Sequence, residues 1–178
     1  MGLSLESMAI EMPAVKGHPN RAGFRGVLTI VDVASDKSPS GARGHRVLLT
    51  RRAAEAAIPS LMGMGLDYSP ALDRHDARRK IGVITRAEIV GRVIEVAGFL
   101  YARDFPEIVA EIGRPRRKGA SVSAGPESAG LGMSYEIADA LVEDIKATVW
   151  VLNRVTFTGA AVLRRDKAAY CSTWIELG

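Results

Sequence analysis

With 178 residues, 47% of them hydrophobic and 25% charged, the chain has the size and balance of one globular domain with a substantial core, and is short for two. Its formal net charge of +4 gathers in short clusters, Arg51-Arg52, Arg78 to Lys80, Arg114 to Lys118 and Arg164-Arg165, which read as solvated surface before they read as phosphate sites. A lone cysteine, Cys171, excludes an internal disulfide, and no apolar run approaches the roughly 20 residues of a membrane span.

Met1 to Pro13 lacks the basic start of a signal peptide, and Glu6 stands where N-myristoylation would want Ser or Thr. A soluble, intracellular protein is therefore expected. Residues 1–22 carry Pro13, Gly17 and Pro19 without periodicity and read as an arm, leaving 23–178 as the folded domain. Phe24 to Val33 is rich in β-branched residues and predicts a strand, followed by a loop over Ala34 to Gly44 and a short strand over His45 to Leu49. Thr50 caps a helix through Met62, in which Pro59 marks a kink or an early stop.

Gly63 to Tyr68 and Lys80 to Ile84 bracket a polar loop holding Asp73-Arg74-His75-Asp76. Ile89 to Leu100 reads either as two strands turning at Gly91 or as one long bent strand. Asp104-Phe105-Pro106-Glu107 predicts a capping box opening a helix that ends at Gly113. Arg114 to Gly130 is a basic, then Gly/Ser-rich loop. Strands follow over Leu131 to Ile137, Ala147 to Phe157 and Gly159 to Leu163, and the segment around Asp144 reads as a turn. Many strands with two or three singly inserted helices predict an α+β domain on a bent or closed, mostly antiparallel, barrel-like sheet.

Of the three histidines, His18 lies in the arm and His45 opens a strand. His75 differs: it sits in a polar loop just before a strand, where a general base can be held rigidly yet reached. Taken alone, an ordinary surface-loop histidine is the commoner meaning of such a residue. The second candidate is Ser134 in Gly130-Leu131-Gly132-Met133-Ser134-Tyr135-Glu136. Strand alternation puts Ser134 and Glu136 on one face and Met133 and Tyr135 on the other. Serine is a weak nucleophile until a base takes its proton, so a catalytic Ser134 requires His75 beside it. Ser121 and Ser123 compete for the same role from a small-residue loop, where a nucleophile would be less preorganised. Cys171, in the tail, reads as a small buried hydrophobe rather than a partner of His75.

These segments, in this order, resemble the prohead (head-maturation) serine proteases of tailed phages, distant relatives of the herpesvirus assembly proteases. The resemblance runs from about Phe24 to Tyr170. It rests on an early strand, the helix from Thr50, His75 with a following Ile81-Gly82, paired strands, and the helix after Asp104. The Gly132-x-Ser134 strand and the Gly159 to Ala161 segment complete it. It implies a herpesvirus-protease-like fold and a serine endopeptidase that cleaves scaffold and capsid-protein termini, and often itself. Such an enzyme works in the host cytoplasm, inside the immature head. Its partners would be the scaffold and the major capsid protein, with homo-oligomerisation left open and no membrane.

Family members place a third catalytic residue, Glu or His, on the strand after the serine. Here that strand, Trp150 to Thr158, has neither, and Arg154 or Thr156 holds the register. Thr156 is taken as the third residue, with a dyad or a carboxylate such as Glu136 as alternatives. The Arg164-Arg165 pair matches one that shapes the oxyanion hole in the herpesvirus branch, although two solvated arginines at a strand end would look the same. No metal-ligand spacing or nucleotide fingerprint occurs, so no cofactor is expected. The missing third residue also fits a catalytically silent relative serving as a structural component of the head. A basic nucleic-acid-binding module using Arg114 to Lys118 ranks last, since aromatics are only 6%.

Overall fold

The computed structural model describes residues 17–114 and 130–178. Ser121, Ser123 and the basic run 115–118 lie outside the described residues, as does most of the expected arm. The domain is α+β, built on a curled, open half-barrel sheet.

Strand β1 (Arg21–Ile30) is followed by β2 (Arg46–Leu49), α1 (Arg51–Ala57) and β3 (Gly65–Asp67). Next come the long hairpin β4 (Lys80–Val90) and β5 (Val93–Tyr101), then α2 (Pro106–Ile112), β6 (Leu131–Val142), β7 (Val149–Arg164) and β8 (Trp174–Leu177). The sheet runs β2-β7-β3-β4-β5-β1-β8, with β6 on the remaining edge of β7. Most ladders are antiparallel, but β2 and β3 both run parallel to β7.

Several elements follow from local chemistry. Thr50 accepts the Ala53 N–H and opens α1, which presents Ala53, Ala54 and Ala57 to the core as a face small enough for close packing on β7. Pro59 ends the regular helix early, in a single 3-10 turn over Ile58–Leu61. The β4–β5 hairpin turns at Gly91, whose φ of +59° suits glycine, and so it is two strands rather than one bent one.

The capping box expected at Asp104 does not form. Phe105 precedes the helix without a side-chain cap, Asp104 accepts from Asn20 Nδ2 at 2.9 Å, and Glu107 accepts the Tyr68 hydroxyl at 2.6 Å. Tyr68 is 5% exposed, and its hydroxyl takes the Glu107 carboxylate in a tertiary bond in place of the local cap. The two strands expected between 147 and 163 are one strand of 16 residues, in which Thr158 is accommodated as a bulge. Strand β8 carries no strong local signal; it exists because Phe24 to Val27 offer it a ladder.

Curling brings the two ends of the sheet together, so that β6 packs against β1 and β8 without a backbone ladder between them. The core fills the inside of the curl, with Leu28, Leu66, Ile84, Leu100, Met133 and Phe157 fully buried. Gly26 sits where β1, β8 and β6 meet. A Cβ there would collide with the backbone oxygen of Trp174 and fall 2.8 Å from the Met133 sulfur. Gly26→Ala should therefore destabilise the domain by about 2–3 kcal/mol, through forced separation of backbone rather than of a flexible side chain. Urea unfolding of the two proteins measures this, and an unchanged midpoint would mean the ends of the sheet do not close as described.

Candidate active site

The last turn of β7 is packed on both faces. Ala160 and Val162 point into the main core, whereas Ala161 and Leu163 point outward and form a second small cluster with Ala168. Parallel pairing sets Asp67 beside Ala161, and antiparallel pairing sets Ser134 on its other side. Residues directly opposite one another in a ladder share a face. Asp67, Ala161 and Ser134 thus form one row on the outer face, with the end residues roughly 10 Å apart at two strand spacings. The expected alternation holds on β6: Met133 is buried, Tyr135 packs edge-on against Phe157, and Ser134 and Glu136 face the other way.

The loop between β3 and β4 covers this row. It is tied down by its own polar residues: Ser69 donates to Asp73 at 2.8 Å and accepts the Asp73 N–H, and Asp76 Oδ1 accepts the Arg78 N–H. Leu72, at φ +53°, turns the chain so that its carbonyl accepts the Arg164 N–H at 2.8 Å. His75 is thereby laid over the outer face, where its side chain is only 16% exposed. Its Nδ1 lies 3.7 Å from Asp67 Oδ1 and 3.7 Å from Glu136 Oε1, and neither ring nitrogen has a hydrogen-bond partner. Between the two flanking strands stands Ala161, whose side chain is a single methyl. Gly159 makes room for Glu136, whose Oε2 would lie 2.8 Å from any Cβ there.

Asp67 is fully buried, with Lys80 Nζ 3.0 Å from Oδ2 and the Asp76 N–H donated to Oδ1 at 3.1 Å. Burial alone would raise its pKa. The nearby His75 ring, the Lys80 ammonium and the Asp76 amide together outweigh that and hold the carboxyl below its ordinary 3.8. Burial pushes the Tyr135 hydroxyl up to about 12, so this inward-facing phenol stays protonated near neutral pH.

Ser134, His75 and Glu136 line one cleft of about 680 Å³, which continues over Ile137, Val142 and Trp150. Candidate residues outside this constellation have other partners. Thr156 pairs with Ala138 and donates to Asp139 Oδ2 at 3.2 Å, away from His75. Arg164 donates its N–H to the Leu72 carbonyl and its Nε to Asp166 Oδ1. Arg165 is 8% exposed, with Nε donating to the Cys171 carbonyl. His45 stacks on Trp150 and contacts the Ala147 carbonyl, and His18 accepts the Asn20 N–H. Among the described residues no three metal-ligating side chains converge, and no helix is long and apolar enough to cross a membrane.

Asp67, beside His75, is a residue that the reading of the sequence did not single out. Its local context, Gly-Leu-Asp ending a three-residue strand, carries no hint that it lies two strands from Ser134. Compared with protein-family models and with curated proteins, the chain gives no match.

Because Asp67 titrates lower in the folded protein, its ionised form adds stability above pH 3.8, and that contribution is lost as pH falls through the folded value. Wild type should therefore exceed Asp67→Asn in urea resistance at pH 6 by more than at pH 3. An equal difference at both values would show that the carboxylate is not selectively stabilised by folding.

Proposed function

We propose that the chain is a serine endopeptidase acting by acyl transfer, with Ser134 as nucleophile and His75 as general base. One observation carries the reading: the only histidine without a hydrogen-bond partner at either nitrogen among the described residues lies over the face that presents Ser134, and both line one cleft. That both residues line one cleft supports the reading, since this chemistry needs an imidazole beside the serine.

In the reaction, His75 accepts the Ser134 hydroxyl proton as Oγ attacks the scissile carbonyl carbon. The tetrahedral intermediate collapses, the amine leaves with the proton from His75, and an acyl-serine remains. Water, deprotonated by the same imidazole, then releases the carboxylate and restores the serine. Ser134 and His75 share no hydrogen bond, and on this reading substrate binding would draw the two together. A substrate segment would lie in this cleft, along the Ser134 to Ile137 stretch of β6 that lines it. Its natural substrates, on the resemblance described above, are the termini of scaffold and capsid proteins in an immature phage head. The relation to the herpesvirus assembly proteases belongs to the same proposal.

Co-expression with the neighbouring capsid and scaffold proteins, read by intact mass, tests this. Wild type should truncate them at defined sites, and Ser134→Ala should leave them whole while keeping the wild-type urea midpoint. Cleavage that persists in Ser134→Ala would overturn the assignment and point to Ser121 or Ser123. Unchanged masses with both proteins would favour a silent structural relative, a reading to which the tied Arg164 N–H also lends weight.

A further inference from the structure

We infer that Asp67 is the positioning residue of this site, orienting His75 in place of a third residue on the strand that follows the serine. The inference rests on the serine-hydrolase reading for its catalytic meaning, but the contact itself stands on geometry.

A general-base histidine needs an acceptor for the proton on one nitrogen, so that the other nitrogen is free to take a proton. Two carboxylates stand equally near Nδ1, and only one N–H exists there to bond. Asp67 and Glu136 differ in everything but distance. The Asp67 carboxylate has no solvent exposure, is anchored at Oδ2 by Lys80 and at Oδ1 by the Asp76 amide, and cannot swing away. The Glu136 side chain is 47% exposed, lies over Gly159, and faces the cleft. An acceptor fixed in a desolvated position aligns an imidazole; a half-exposed one at the end of a longer side chain does so weakly.

Backbone and side chain act together at Asp67. Its Oδ1 holds the amide of Asp76, the residue next to His75, so one oxygen fixes the peptide that carries the ring and faces the ring itself. Closing from 3.7 Å to the ~2.9 Å of an N–H···O bond takes a shift of under ~1 Å. With Nδ1–H committed to Asp67, Nε2 is left unprotonated, the form that accepts the Ser134 proton. The row Asp67–Ala161–Ser134 supplies the spacing: a small residue separates acceptor and nucleophile on the face over which His75 lies. Lys80 keeps the aspartate ionised without competing for His75, since it approaches the other oxygen.

The test combines a spectroscopic readout with a chemical one. Long-range ¹H–¹⁵N correlation on the wild-type chain should show His75 as the Nδ1–H tautomer with a downfield proton, and that signal should be lost in Asp67→Asn and kept in Glu136→Gln. In parallel, a fluorophosphonate probe forms a phosphorus–oxygen bond with Ser134, expelling fluoride and passing the hydroxyl proton to His75. Its rate should fall on the order of 10³- to 10⁴-fold in Asp67→Asn, at an unchanged fold by circular dichroism. Asp67→Asn reacting at the wild-type rate with the tautomer retained would overturn the inference and leave the hydrolase reading in place. So would loss of the signal in Glu136→Gln alone. A wild-type Ser134 inert to the probe, with His75 still bonded to Asp67 through Nδ1, would sink the hydrolase reading and leave the positioning contact intact. Should Asp67→Asn not fold, the wild-type tautomer decides: an Nε2–H form rules out Asp67 as the acceptor.

Discussion

Strand β7 is the constraint on which the architecture depends. It is 16 residues long and hydrogen-bonds β2 and β3 in sequence along one edge and β6 along the other. Such a strand cannot follow the ordinary rule of one apolar and one solvated face. Toward its end, residues 159–163 are buried on both sides, the inner side by the core and the outer side by the β3–β4 loop and the segment around Ala168. A sheet face covered by loops rather than by a helix is a natural place for polar side chains to be held still and still be reached.

The outer cover explains why the polar groups here are organised rather than merely exposed. Buried polar atoms cost free energy unless bonded, and the loop meets that requirement internally, through Ser69 with Asp73 and through Asp76 with Asp67 and Arg78. His75 is the exception, with both nitrogens unmatched inside an otherwise satisfied network. Local imbalance of this kind persists because the surrounding bonds over-determine the loop that carries the ring.

Small residues do as much positional work as polar ones. Gly26 lets the ends of the curl meet, Gly159 admits the Glu136 carboxylate, and Ala161 keeps the row between Asp67 and Ser134 small. The Gly-Ala-Ala segment therefore contributes through the volume it leaves empty on the outer face while Ala160 fills the inner one.

Much of the secondary structure was legible because its causes are local: β-branched runs for β1 and β7, a threonine cap for α1, a glycine turn between β4 and β5. So was the facing of Ser134 and Glu136, which follows from a two-residue period. Where a local signal had a tertiary competitor it lost, as when Glu107 took the Tyr68 hydroxyl and left α2 without its capping box. Sequence also singled out His75 and Ser134, since their chemistry narrows the choices to few residues. It could not find Asp67, nor turn Thr156 and Arg164 away toward Asp139 and Leu72, because those partnerships depend on strand register. Register across β3, β7 and β6 is set by which apolar faces must be buried together, a property of the assembled sheet that no single strand contains.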